Sequence, residues 1–289
     1  MEATVSKKES VKTKKKQKLT MGSILLIALL TVLALITLVP FIWMLSASFK
    51  TNNEVFSIPI QWIPKTWHPE NYSVIWDRIP LLTFFKNTAF LSILITLIQL
   101  LTSSFAAYGF SKMHFKGRDV LFLAYIGTIA IPWQSYMIPQ FIMMRQLHLT
   151  DTLWSLVLLQ AFSAFGVFLL KQYYSSIPDS LCESARMDGL SEWGIYRRII
   201  LPLTKPALAS LTIITFVNTW NDYMGPFIYL TSTENKTIQL GLKMFVGLFD
   251  AEYALIMAAS VVSILPVAIV FLSMQKYFVE GIATSGMKN

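Results

Sequence analysis

The chain has little of what a soluble enzyme or a nucleic-acid binder uses. Only 14% of its 289 residues are charged, against about 25% in an ordinary soluble domain. It holds one cysteine, Cys182, which excludes an intramolecular disulfide and a metal site built on cysteine pairs. None of His68, His114 and His148 belongs to a His-Glu-x-x-His pattern. The Gly-x-x-x-x-Gly from Gly189 to Gly194 is followed by Ile195-Tyr196, where a phosphate loop needs Lys-Ser/Thr. There is no Gly-x-Gly-x-x-Gly, and nothing resembles a nucleophile elbow. The chain therefore carries no nucleotide site of its own that these patterns can identify, and no cofactor or metal is expected on it.

What it has in quantity is apolar sequence: 54% hydrophobic residues and a mean hydropathy of +0.55. A bilayer core takes about 20 apolar residues per helix. Six stretches meet that length, at 21–47, 84–111, 120–144, 153–174, 204–230 and 253–275. The alternating pattern of a membrane barrel is absent. The expected fold class is an all-α polytopic membrane protein with six transmembrane helices. It divides into a basic tail (1–20), one transmembrane domain (21–280) and a short terminal tail (281–289). The apolar run from Ile24 to Leu45 exceeds the roughly 7–15 residues of a signal peptide core. No small-residue cleavage signature follows it, so it reads as a retained helix.

The net charge of +8 is not a nucleic-acid signal, because the charges sort by side. With the amino terminus inside, 17 of the 24 Lys and Arg fall on inner segments and 7 on outer ones. This asymmetry places both termini in the cytoplasm. The lysines from Lys12 to Lys18 can rest on anionic membrane lipid, although a solvated tail that sets topology is the plainer reading. Between Thr51 and Leu82, four prolines (Pro59, Pro64, Pro69, Pro80) and Trp62, Trp67 and Trp76 predict an irregular cap on the outer surface.

Two spans carry polar groups that lipid would not tolerate. The third contains Pro132 and Pro139, with Trp133, Gln134, Ser135, Tyr136 and Gln140 around them; a kinked polar helix must face protein or water. In the fifth, Asn218, Asn221, Asp222 and Gly225 fall at i, i+3, i+4 and i+7, on one face of a continuous helix. Eight apolar residues there contribute about −2.4 to −4.8 kcal/mol to insertion, while a central Asp costs about +2.5 to +3.5. That balance is marginal, so the polar face should look into a bundle or a cavity. Counted from Ala207, Asn218 lies about 17 Å and Asp222 about 23 Å along the helix, in the outer half of the membrane. Trp133, Gln134, Tyr136, Asn218, Trp220, Asn221 and Asp222 are the candidate lining of a solute path. The amides and the carboxylate could bond sugar hydroxyls, and Trp133 or Trp220 could stack on a pyranose face. The same groups could instead join helix to helix.

The longest inner loop, 177–203, has its own pattern. Ile177-Pro178 ends the fourth span. Ser180 and Glu183 have capping-box spacing, which predicts a helix starting near Leu181. Gly189 fits its carboxyl-terminal cap. Ser191 can cap a second helix running to Leu201, with Pro202 breaking into the fifth span. The result is a helix–turn–helix on the membrane surface. Ser184, Ala185 and Gly189 would allow another backbone close approach, and Glu183, Arg186, Asp188, Arg197 and Arg198 would supply charge. Taken alone, this is also what an ordinary capped surface loop looks like.

Glu183, Ala185, Gly189, Ile199, Leu201 and Pro202 resemble, at every spacing, the EAA loop of ABC-importer permeases; Ser184 replaces the middle alanine and is still small. The stretch from Glu183 to Gly189, then Leu201-Pro202-Leu203 and Lys205-Pro206-Ala207-Leu208, is similar to carbohydrate-uptake permeases of the maltose-transporter, MalG-like type. So are Trp220-Asn221-Asp222, Pro69-Glu70-Asn71-Tyr72 and the run from Gln275 to Gly281. The resemblance covers most of the chain. It implies an ABC type I importer permease fold and a heterodimer with a homologous second permease. It also implies two ABC ATPase subunits that hold the ATP and Mg, and an extracytoplasmic solute-binding protein that delivers a sugar or oligosaccharide. The cell membrane would be the bacterial cytoplasmic one. Glu183, Ser184, Ala185, Arg186, Asp188, Gly189, Ile199, Leu201 and Pro202 would then form the coupling site, and the tail from Gly281 could reach the motor interface. A secondary transporter is the main rival; it would place ionisable residues at the midplane in repeated halves, and only Asp222 lies deep in a span. A membrane enzyme lacks its catalytic cluster here, and a scaffold would leave the EAA spacing unexplained.

Overall fold

The computed structural model describes residues 20–247 and 251–286, with side chains as far as Tyr277. The basic tail, Lys12 to Lys18 included, and the last residues of the terminal tail lie outside the described residues. The chain separates into two compact units, Met1–Met44 and Leu45–Asn289. Almost all of the first unit's described part is helix α1, Met21–Ala47. Its apolar side chains are exposed as far as Ile42, while Ala47 at its end is buried.

The second unit is helical. No strand occurs among the described residues, only an isolated bridge between Val246 and Ala251. The segment 51–82 is mostly irregular, as expected, with two short helices, α2 (Asn52–Val55) and α3 (Asn71–Arg78). The Asn71 amide donates to the carbonyls of Ser48 and Lys50, both at 2.9 Å. Phe49 packs between Trp67 and Tyr72, with ring centroids 5.3 and 5.1 Å away. Lys50 is buried and donates to the Gln61 carbonyl; burial lowers its pKa against the pull of Glu54.

Helix α4, Leu81–Lys112, is the central element. It packs on α8 (Ala164–Ser175) and α11 (Lys205–Trp220), and α11 packs on α14 (Tyr253–Gly286). The α4–α8 contact depends on small residues: a Cβ on Gly166 would stand 2.5 Å from Ser103 Oγ. Small residues of this kind let membrane helices approach closely.

Three helices, α1, α4 and α14, are long and apolar enough to cross a membrane; the number rises to five if two bent pairs each count once. Three of the six expected stretches are interrupted. The stretch 120–144 is two helices, α5 (Arg118–Gly127) and α6 (Met137–Gln146), separated by 3-10 turns at Thr128–Ala130 and Trp133–Ser135. The break is at Pro132: Ile131 before it is extended (φ −83°, ψ 112°), because proline excludes the helical region at its predecessor. Pro139 causes no kink, since it lies in the first turn of α6, where its missing N–H costs nothing.

The stretch 153–174 divides into α7 (Leu153–Leu159) and α8, bent by 43°. Ser163 caps α8 by accepting from the Gly166 N–H at 3.0 Å. The stretch 204–230 stops at Trp220 and resumes as α12 (Met224–Tyr229). Beyond it come α13 (Ile238–Met244) and α14, whose backbone stays helical to Gly286.

Candidate functional site

The loop from 177 to 203 forms the predicted helix–turn–helix. Its first helix, α9, runs Asp179–Met187 and its second, α10, runs Glu192–Leu203 with a π turn at Tyr196–Ile200. The capping box at Ser180 and Glu183 does not form. Pro178 (φ −57°, ψ 134°) has already redirected the chain, so α9 starts two residues earlier, with Asp179 in its first turn, where the helix dipole favours a carboxylate. Ser180 instead uses its carbonyl to accept from the Ser184 hydroxyl at 2.8 Å.

The other end follows the expectation. Gly189 has φ 84°, its N–H reaches the Arg186 carbonyl, and the Leu190 N–H reaches the Ala185 carbonyl, both at 3.0 Å. These two bonds are the Schellman pair that closes a helix through a left-handed residue. Ser191 caps α10 by accepting from the Gly194 N–H at 3.3 Å. The break into α11 falls at Thr204, two residues after Pro202, and the two helices meet at 76°.

The loop stands on an apolar core of its own, built from Cys182, Ala185, Ile195, Tyr196 and Ile200 against α4, α8 and α11. Ala185 is 6% exposed, so it supports the helix from below and does not present a small surface to a partner. The outward face carries Glu183, Ser184, Asp188 and Gly189. Arg186 is tied within the chain, donating to Glu192 from Nε at 2.7 Å and from Nη2 at 3.3 Å; this partner raises the guanidinium pKa. Ile199 and Leu201 are half-buried and Pro202 is exposed.

The candidate path residues separate into two groups. Trp133, Tyr136, Asn218 and Asp222 line one open cavity of about 410 Å³, together with Gln99, Gln140 and Gln160. Gln134, Trp220 and Asn221 do not line it. Trp220 is buried, donates its indole N–H to the Ser263 carbonyl at 3.0 Å and stacks on Phe216, so it cannot stack on a solute. Asn221 accepts from the Gln239 amide at 3.2 Å. The single helical face drawn through Asn218, Asn221, Asp222 and Gly225 is lost because the helix ends between them. Asp222 competes for backbone N–H groups, as its short polar side chain allows, and accepts from Gly225 at 3.1 Å.

Gln99 and Gln160 escaped the sequence reading, yet they connect the helix breaks. Gln99 donates to the Gln160 carbonyl at 2.7 Å and accepts from the Thr215 hydroxyl at 3.2 Å. The Gln160 amide then donates to Asp222 at 3.0 Å. Thr102 donates to the Ala161 carbonyl at 3.0 Å. The carbonyls freed where α7 gives way to α8 are thus paired by α4 side chains, as a backbone at membrane depth requires. The available signal was an isolated amide in an apolar run.

The model of the family described as "Binding-protein-dependent transport system inner membrane component" matches residues 17–284. The chain belongs to that family. It is a multi-pass membrane permease of an ABC importer, and ATP hydrolysis in such importers is on a separate subunit. The permease is 34% identical over 259 residues to the arabinooligosaccharides transport system permease protein AraQ of Bacillus subtilis, covering 89% of this chain and 92% of that one. It is 30% identical to the lactose transport system permease protein LacG of Rhizobium radiobacter, over 89% and 94% of the two chains. Among solved structures it matches a chain of a bacterial ABC transporter involved in the import of the acidic polysaccharide alginate. That match has a TM-score of 0.78 at 29% identity and covers 89% of this permease and 96% of that chain.

Proposed function

We propose that this permease forms half of a six-helix-per-subunit translocation pore for a sugar or oligosaccharide, with both termini in the cytoplasm. Its partners are a homologous second permease, two ABC ATPase subunits that bind ATP and Mg, and an extracytoplasmic solute-binding protein. The relatives named for arabino-oligosaccharide, lactose and alginate transport support a carbohydrate. So does the lining of the cavity. Amides offer both donors and acceptors to hydroxyl-rich solutes, and Trp133 and Tyr136 offer aromatic faces.

The observation that carries the reading is the loop from 177 to 203. A helix closed by Gly189 presents Glu183, Ser184 and Asp188 outward from a buried apolar base. In the EAA arrangement this face enters a groove of the ATPase, and Glu183 holds the socket by charge-assisted bonds. Closure of the ATPase dimer on ATP then moves α9 and α10, and the pore opens outward; hydrolysis resets it. The test is Gly189→Trp. The variant chain is expected to insert in the membrane normally and to lose ATP-dependent uptake. Normal uptake by the variant would contradict docking.

A further inference from the structure

Three residues one helical turn apart on α4 hold the whole inner loop. Ser104, Tyr108 and Lys112 follow at i, i+4 and i+8 and share a face of the helix. Ser104 Oγ lies 2.7 Å from the hydroxyls of both Tyr174, on α8, and Tyr196, in the π turn of α10. Tyr108 donates to Glu192 at 2.6 Å, at the start of α10. Lys112 donates to the Ile177 carbonyl and to the Asp179 carboxylate, each at 2.6 Å, at the start of α9.

Lys112 is the informative member. Its side chain is 2% exposed, although lysine heads normally reach water. A buried ammonium is costly unless it is paired and hydrogen-bonded, and a buried ion pair is weak evidence for added stability. Stability alone therefore does not explain the residue. What the ammonium does supply is a fixed attachment at one point, the Ile177-Pro178 joint through which α8 becomes α9. Further along the same helix, about 20 Å from Lys112 at 1.5 Å per residue, Gln99 is bonded to Gln160, which in turn bonds Asp222 at the cavity.

We infer that Lys112 is a positioning residue that makes α9 and α4 move as one body, so that displacement of the coupling loop reaches the helix breaks around the cavity. This rests on the proposed docking of the loop to the ATPase. A contiguous set of contacts is not in itself evidence of coupling, so the test must read movement and not stability alone.

The experiment uses the complete importer, purified with its ATPase, in which the buried Cys182 is replaced by alanine and Asn218→Cys reports on the cavity. Labelling of Asn218→Cys by a membrane-impermeant maleimide is timed with and without ATP, Mg and vanadate. In the Lys112-containing complex the rate is expected to change on trapping. In Lys112→Met, ATP hydrolysis persists while the nucleotide-dependent change falls by about fivefold or more, and Lys112→Arg restores it. An undiminished change in Lys112→Met overturns the inference. Loss of the ATPase from Lys112→Met overturns it too, since Lys112 would then only hold the docking surface together. Should Lys112→Met not accumulate, Tyr108→Phe removes one hydroxyl from the same stripe and is expected to shift the response in the same direction; an unaltered response would count against the stripe. If the Lys112-containing complex carries no ATPase, the docking reading itself fails and this inference falls with it.

Discussion

Gly189 and Gly225 are constrained for different reasons, and the difference sets two expectations. At Gly189 nothing lies within 4 Å of an added Cβ, but φ is +84°. Gly189→Ala therefore strains only the backbone, by about 1–2 kcal/mol, and Gly189→Asn less. Hydrogen exchange across 179–195 checks this, with faster exchange expected in the Ala variant. At Gly225 an added Cβ would stand 2.6 Å from Asp222 Oδ2 and 3.3 Å from Leu156. Gly225→Ala should cost about 1–3 kcal/mol by overpacking, read as a lower midpoint of thermal unfolding in detergent; an unchanged midpoint would show that the cavity wall yields. Asp179 gives the pH expectation. Its carboxyl is held below the usual range by the hydrogen bond from Lys112 and then by that residue's charge. A depressed carboxylate contributes stability that is complete above its unfolded value near 4 and is lost as pH falls through the lower folded value. A spin label at Met187→Cys should thus keep one mobility from pH 8 to 5 and gain freedom only in stronger acid. The role of Gly189 was legible because caps are local chemistry. That of Gly225 was not, because it depends on Asp222 and Leu156 arriving from other turns.

At the scale of elements, the long apolar helices were legible and the interruptions only partly so. Pro132 announces its break through Ile131. The break between α7 and α8 has no proline. It persists because Gln99 and Thr102, on another helix, pair the carbonyls of Gln160 and Ala161, and a linear pattern does not show which distant side chain will do so. Removing those partners gives a direct test. Gln99→Leu or Thr102→Val leaves a part-buried carbonyl short of a donor, at a cost of about 0.5–1.5 kcal/mol each, measurable as reduced thermal stability of the purified complex. Neither variant altering stability would mean that water satisfies the break. The early start of α9 has a similar origin: the capping-box pattern at Ser180 was sound chemistry, but the geometry at Pro178 acted first. Trp220 shows the same limit in a side chain. Its neighbours in sequence are polar, yet its indole is committed to Ser263 and Phe216 in the core.

At the scale of the whole molecule, the family and the all-helical class were readable from a short loop and from hydropathy, because both depend on spacing within one segment. The cavity was only half readable, since it gathers residues from α4, α6, α7, α11 and α12. It also carries an expectation of its own. Asn218 is exposed and lines the cavity, so Asn218→Leu should leave ATPase assembly intact and weaken solute uptake by about 0.5–1.5 kcal/mol in transition-state terms, the net worth of one hydrogen bond. Unaltered uptake would assign Asn218 to the pore wall and not to the solute path.

The central claim is that this permease works only as part of a motor-driven assembly. The most direct measurement is to tag the chain, purify it gently from its native membrane and identify by mass spectrometry what accompanies it. The account predicts a second permease and an ABC ATPase in stoichiometric amounts, with the ATPase lost when Gly189→Trp is introduced. Recovery of the chain without an ATPase, under conditions that keep other transporter complexes whole, would contradict it.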